Sequence, residues 1–355
     1  MIPPNATAEA PRVLFLADGG PEIGGGHAMR CLTLAGALAD GGAACAFVAH
    51  PGVAQILETF AAPSIEILVA PGEGSAAMLA AAAGLAEQWN AGVVVLDSYQ
   101  LAETDRSWLG NADRRIVVID DLADRKHDCD LLVDPTFARA ADAYRDLVPA
   151  ACQVLSGPDY ALVRPEFSNA RAAVLVRRSG QVSVDRVLVA LGLTDIGGIT
   201  GRVVQALAPV VGSVRLDVVV GQTAPSLAVL ETLATENLHL HVETREMALL
   251  TAAADIAIGA GGSSVWERAC LGLPSVSLIL AANQGPMTLA LEQAGALIAV
   301  DARRADKGET VAAACSRLIH DGALRSRLTA ASSSICDGLG AGRVASAILA
   351  CVGVV

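Results

Sequence analysis

Short, unbroken runs of aliphatic residues alternate with amphipathic stretches through almost the whole chain, and this alternation limits what it can fold into. In the first half the runs are Val13–Ala17, Ala44–Ala49, Ile65–Val69, Val93–Leu96, Ile116–Ile119 and Leu131–Val133, with helical patterns near 27–39, 52–60, 75–88 and 103–113. Strands of about five residues separated by helices imply βαβ units and a parallel sheet. The runs Val-Val-Val-Leu at 93–96 and Ile-Val-Val-Ile at 116–119 do not alternate with polar residues, as expected of strands covered on both faces. After residue 183 the pattern restarts, with strands expected at Arg186–Leu191, Arg215–Val220, Leu238–Val242, Asp255–Ile258, Ser275–Leu280 and Leu297–Val300. Helices are expected near 198–209, 224–234, 244–252, 263–271, 286–295 and 308–350, and a polar linker at 165–183. The chain therefore reads as two doubly wound, Rossmann-like α/β domains, 1–170 and 171–355, facing a central cleft. Its 355 residues agree with that division at about 150 residues per domain.

Composition narrows the partners. The net charge of -12 opposes nucleic acid and anionic membrane, so neither is expected. An anionic small molecule needs a local cradle. The uncharged stretch Ala269–Leu291 is long enough to span a bilayer, but Gly272, Pro274, Asn283, Gln284, Gly285 and Pro286 break it, and no membrane span is expected. Met1–Arg12 has neither a basic start nor an apolar core, so no secretory signal is read. The eight cysteines form no C-x-x-C pair and are expected to be buried free thiols. A cytoplasmic monomer is the expectation.

In open parallel sheets, ligands bind at the carboxyl ends of strands, so the chemistry is expected in the loops that follow strands. The first, from Asp18 to Arg30, contains Gly24, Gly25 and Gly26 followed by His27. Its glycines let backbone approach a ligand. It is not a dinucleotide fingerprint, because Met29 stands where the third glycine belongs and the second strand ends in His50 rather than an acid. No Gly-Lys-Ser/Thr follows, which excludes a Walker A loop. His27, opening a helix with Arg30 one turn on, is a candidate base near neutral pH. Later strand ends carry Asp97-Ser98-Tyr99, Asp120-Asp121, Thr194-Asp195, Gly261-Gly262-Ser263-Ser264 with Glu267, and Asn283-Gln284. Ser264 and Glu267 also fit a helix-capping box. Asp120-Asp121 lacks a third ligand, and His239 and His241 suit a solvated strand face better than a metal, so no metal and no cofactor are expected. No G-x-S-x-G elbow is present.

Together these segments resemble one family. Gly24-Gly-Gly-His-Ala-Met-Arg-Cys-Leu-Thr-Leu-Ala35, Val118-Ile-Asp-Asp-Leu-Ala-Asp-Arg125, His127-Asp-Cys-Asp-Leu-Leu-Val-Asp134, Gly157 to Phe167 and Ile258 to Arg268 are similar to the UDP-2,4-diacetamido-2,4,6-trideoxy-β-L-altropyranose hydrolases of pseudaminic acid biosynthesis, within the MurG-like GT-B superfamily. The resemblance covers roughly residues 12 to 300. It implies a GT-B-like fold and metal-independent release of UDP from a diacetamido sugar, with His27 as general base and Tyr99 and Asn283 as further catalytic residues. Gly24, Gly25, Gly26, Arg30, Asp97, Thr194, Asp195, Gly261, Gly262, Ser263, Ser264, Glu267 and Gln284 are then the expected substrate-binding residues, with Glu267 near the ribose. The chain departs from the family at Leu193, where a glycine is usual, and at Ala282, where an acid often precedes Asn-Gln. The competing readings are a GT-B glycosyltransferase in which His27 activates an acceptor hydroxyl, a hydrolysing epimerase, and a non-catalytic UDP-sugar-binding protein.

Overall fold

The computed structural model describes residues 10–20, 24–72, 75–109, 113–140, 142–233, 235–303 and 308–353. Pro21, Glu22 and Ile23 of the first loop, residues 1–9, and residues 110–112 of an expected helix lie outside the described residues.

The first sheet contains β1 (Arg12–Ala17), β2 (Ala44–Ala49), β3 (Glu66–Val69), β4 (Val93–Asp97), β5 (Arg115–Ile119), β6 (Leu131–Asp134) and β7 (Gln153–Ser156). All pair in parallel, in the order β3-β2-β1-β4-β5-β6-β7. The second contains β8 (Arg186–Ala190), β9 (Arg215–Val220), β10 (Leu238–Val242), β11 (Ile256–Ala260), β12 (Ser275–Ile279) and β13 (Ile298–Asp301), in the parallel order β10-β9-β8-β11-β12-β13. Both sheets therefore reverse strand order beside their first strand, at β1/β4 and at β8/β11. The central strands are buried along both faces, which is why their sequences do not alternate.

Helices α1 (Gly26–Asp40), α2 (Pro51–Phe60) and α3 (Ser75–Gln88) link the first strands. The expected helix at 103–113 is instead a 3-10 stretch over Glu103–Leu109, and the half-exposed edge strand β7 carries too little pattern to be read from sequence. α5 (Ile199–Val211), α6 (Leu227–Leu233), α7 (Met247–Ala253), α8 (Ser264–Cys270) and α9 (Gln284–Gln293) link the second set.

The expected linker is a helix. α4 (Pro165–Ser179) starts at a proline, compatible with a first helical position, and buries Phe167 and Val174 against Val265, Trp266 and Cys270. A boundary at 170/171 falls inside it. The single helix expected over 308–350 is three: α10 (Gly308–His320), α11 (Gly322–Ile335) and α12 (Gly340–Cys351). Asp321 caps α11 by accepting from the Leu324 N–H at 2.8 Å. α12 returns to the first domain, where Val344, Ala345 and Ile348 join Leu34 and Leu38 of α1 in one core. We place the domain boundary ahead of α4 and assign α12 to the first domain. Residues 322–351 are long and apolar enough to cross a membrane if read as one helix, at mean hydropathy 1.2. The chain breaks between Ile335 and Gly340, however, and both pieces bury side chains in the protein.

The eight cysteines are free thiols. His241 on β10 pairs through Nε2 with Asp217 at 2.7 Å, and no His/Cys/Asp/Glu group suited to a metal occurs among the described residues.

Candidate functional site

The two strand-order reversals face each other, and their loops enclose a cleft of about 220 Å³. Gly24, Gly25 and Gly26, from the loop after β1, line one wall. Thr194, from the loop after β8, and Gly262, Ser263, Ser264, Glu267 and Gln284, from those after β11 and β12, line the other. The walls touch closely. A Cβ added to Gly26 would stand 3.3 Å from Ser263 Oγ, one on Gly24 3.9 Å from Thr194 Oγ1, and one on Gly25 3.8 Å from Leu193 Cδ1. Gly24 also has φ +87, a conformation that disfavours any side chain. A further cavity of about 450 Å³ adjoins this cleft and shares Phe60, Leu193, Thr194 and Ile196 with it.

His27 follows Gly26 and Asn283 precedes Gln284, both of which line the cleft, and Tyr99 contacts His27 and Asn283 without lining it. The register that sets Ala17 beside Asp97 brings the end of β4 under the first turn of α1. Asp97, fully buried, takes His27 Nδ1 at 2.6 Å on Oδ1. The Arg30 guanidinium grips the same carboxylate with both Nε and Nη2 at 2.6 Å, and reaches Asp121 through Nη1 at 2.9 Å. Burial alone would raise the Asp97 pKa, but Arg30 and then His27 hold it well below the usual carboxylate range. An ionised Asp97 only accepts, so His27 carries a hydrogen on Nδ1 and Asp97 fixes the orientation of the ring.

Tyr99 stands edge-on to His27, with ring centroids 4.6 Å apart. Its N–H donates to Asp18 at 3.1 Å, and the neighbouring Ser98 hydroxyl donates to the same carboxylate oxygen at 2.7 Å. Its hydroxyl donates to Asp121 at 3.4 Å and accepts from Asn283 Nδ2 at 2.8 Å, across the domains. Burial, then the nearby Asp121 charge, pushes the phenol pKa well up, so it stays a neutral donor.

Several expected binding residues hold partners within the protein. Asp97 orients His27 and Arg30 and is shut off from the cleft. Arg30 lines the cleft, but its charge is taken up by Asp97 and Asp121. Asp195 is fully buried and accepts from the Thr200 and Ser226 N–H groups at 2.8 and 2.9 Å. Gly261 points inward: its N–H donates to Leu278 O at 2.8 Å, and an added Cβ would meet Thr288 Oγ1 at 2.4 Å. The capping box does not form, since no side chain caps α8. Glu267 instead pairs with Arg164 at 2.8 Å, and both line the cleft. Gln284 Oε1 accepts from the Leu280 N–H at 2.9 Å, folding its loop.

Asp18, Asp121 and Arg164 were not among the expected site residues. Asp18 follows β1 directly and Asp121 is the second residue after β5, and that position at a strand end is the available signal. Arg164 had none beyond the Arg-Pro step that precedes α4.

No family model matches the sequence. Over 204 residues, 56% of the chain, it is 28% identical to the spore coat polysaccharide biosynthesis protein SpsG of Bacillus subtilis, covering 59% of that protein. Over 158 residues, 44% of the chain, it is 29% identical to the UDP-2,4-diacetamido-2,4,6-trideoxy-beta-L-altropyranose hydrolase of Campylobacter jejuni, covering 53% of that protein. The matches thus span a little over half the length of these relatives. Among solved structures, MurG of Acinetobacter baumannii superposes with a TM-score of 0.63 at 17% identity, covering 96% of this chain and 99% of that one. S. aureus MnaA with UDP gives 0.67 at 14% identity, covering 97% and 98%. LpCGTa with UDP gives 0.64 at 14%, covering 97% and 100%. The fold is GT-B. At these identities the structural likeness carries the architecture alone.

Proposed function

We propose that the chain is a metal-independent UDP-sugar hydrolase. It releases UDP from UDP-2,4-diacetamido-2,4,6-trideoxy-β-L-altropyranose, or a close relative, by attack of water at the anomeric carbon, in pseudaminic acid biosynthesis for flagellin or surface glycans. The observation that carries this reading is the grouping of His27, Tyr99 and Asn283, drawn from two domains and three loops, beside one interdomain cleft. The partial likeness to the Campylobacter jejuni hydrolase adds the substrate class.

In this reading the nucleotide occupies the second-domain wall, with the ribose hydroxyls toward Glu267 and the diphosphate against Gly262, Ser263 and Ser264. The sugar points at Gly24–Gly26. His27 Nε2 takes a proton from water as it attacks, a contribution typically worth about 10²–10⁴-fold. Asp97 holds the ring and stabilises the imidazolium that forms. Tyr99 and Asn283 orient water and sugar. Departing UDP carries the developing negative charge, which fixed donors on the wall stabilise without reorganising.

A GT-B glycosyltransferase is the second reading, and the adjoining 450 Å³ cavity favours it, because an acceptor needs a place beside the donor. One experiment tests both. The purified chain is incubated with UDP-diacetamido-sugars without acceptor, and the products are followed by NMR. Release of UDP and free sugar is expected from the wild type and not from His27→Asn. Turnover only with an added acceptor would establish transfer, UDP-sugar binding without turnover a binding protein, and inversion at a ring carbon other than the anomeric one an epimerase.

A further inference from the structure

Beneath the Gly261–Ser264 loop lies a buried cation with no carboxylate in ion-pair contact among the described residues. Arg268, one turn into α8 from Ser264, is 4% exposed. Its Nη1 donates to Ser264 Oγ at 3.0 Å, and its Nη2 to Ala260 O at 2.7 Å and Ser277 Oγ at 3.1 Å. Its buried Nε has no hydrogen-bond partner. Burial pushes the guanidinium pKa down to about 10, partly offset by the charge of the neighbouring Glu267, which makes no ion-pair contact with it, so Arg268 remains charged at neutral pH.

The surrounding backbone is shaped to admit it. A Cβ on Gly259 of β11 would stand against Arg268 Nη1 and Cζ, so any side chain there would move the guanidinium from its present position. Other buried arginines have a plain structural role. Arg178 donates to the carbonyls of Leu271, Ala254 and Thr251, and Arg325 to those of Leu318 and Ile319, where helix ends favour a cation. Arg268 differs in lying behind a cleft wall and in leaving its Nε unsatisfied. A lone buried charge is costly unless a counter-charge offsets it.

We propose that Arg268 is a positioning residue for the phosphate subsite: it supplies the counter-charge behind the cleft wall and orients the Ser264 hydroxyl toward an incoming diphosphate. Because Ser264 Oγ accepts from Nη1, its own hydrogen is left to donate into the cleft. Arg268 acts through Ser264 and does not itself touch the ligand. The inference rests on the reading of the cleft as a nucleotide-sugar site and adds to it the source of the anion's stabilisation in a chain of net charge -12.

The test measures binding of UDP and of uridine to the full chain by calorimetry, with thermal melts of the ligand-free protein. The variants are Arg268→Met, Ser264→Ala and the wild type. In Arg268→Met, UDP should bind about tenfold or more weakly while uridine changes by less than about twofold, as expected for loss of a charge-assisted hydrogen bond. The ligand-free variant should melt within a few degrees of the wild type, because removing a costly buried charge offsets the loss of its three hydrogen bonds. Ser264→Ala keeps the charge and removes the relay, so it should weaken UDP selectively by a smaller factor, and it serves if Arg268→Met fails to fold. Equal losses for UDP and uridine, or unchanged UDP binding in both variants, would overturn the role of Arg268 while leaving the cleft assignment intact. A wild type that binds neither UDP nor uridine would overturn the cleft assignment and this inference together.

Discussion

Tyr99 of the first domain and Asn283 of the second are joined by a hydrogen bond of 2.8 Å, donated by the amide to the phenol. The same phenol donates to Asp121, which also holds Arg30. A single hydroxyl thus links the second domain to the charged cluster that orients His27.

Replacing that hydroxyl should impair function more than folding. Tyr99→Phe removes two hydrogen bonds, the one from Asn283 and the long one to Asp121, each worth about 0.5–1.5 kcal/mol net. Turnover is expected to fall clearly while the melting temperature changes by only a few degrees. In a double-mutant cycle with Asn283→Ala, the two changes should couple by about 1 kcal/mol in kcat/KM. Strict additivity would mean that the bond has no part in turnover.

Asp97→Asn should act on both levels. It removes the charged acceptor that orients the His27 ring, so kcat should drop by about 10²-fold or more, in line with the loss of general base catalysis. It also breaks a buried ion pair, which costs about 3–5 kcal/mol when one partner is removed. The pH dependence has a definite sign. A carboxylate whose folded pKa is depressed contributes stability that is present above its unfolded pKa, about 3.9, and lost as pH falls toward the lower folded value. The melting temperature of the wild type should therefore fall more steeply below about pH 4 than that of Asp97→Asn. Thermal melts from neutral to acid pH would show it, and parallel curves would contradict it.

Asp195→Ala should be a stability variant. The carboxylate is fully buried and accepts two backbone N–H groups. Hydrogen bonds to charged groups contribute about 1.5–3 kcal/mol each, so unfolding should become easier by roughly that much or more. KM for the UDP-sugar in the folded fraction should stay within about twofold, since the Asp195 carboxylate is turned inward onto backbone N–H groups and does not line the cleft. A raised KM at unchanged melting temperature would return Asp195 to the binding residues.

Glu267→Gln should do the reverse. Its partner Arg164 also lines the cleft, and both side chains are partly exposed, so the pair itself adds little to stability. Under the proposed placement of the ribose, nucleotide affinity should weaken several-fold with kcat little changed and the melting temperature nearly constant. Calorimetry with UDP and steady-state kinetics check this.

Much of the architecture was legible because it is written locally. Continuous runs such as Val93–Leu96 report a strand covered on both faces, and their alternation with helices dictates parallel sheets. The positions of His27, Tyr99, Ser264 and Asn283 followed from that, since each lies just beyond a strand end. Boundaries were less legible where pattern is weak: α4 is polar enough to read as a linker, and β7 is a half-exposed edge.

The sequence by itself determined two Rossmann-like units, glycine-rich loops at their strand ends, and a histidine at the mouth of the first. Only the tertiary structure decided how the charges are spent. Arg30 and Asp97 lie 67 positions apart and meet because the β1/β4 register brings the end of β4 under α1; Arg164 and Glu267 lie 103 apart and meet where the start of α4 packs beside α8. Whether a carboxylate is ionised and engaged, like Asp97, turned inward, like Asp195, or lining the cleft, like Glu267, depends on burial and on partners far away in the chain. Local pattern carries neither.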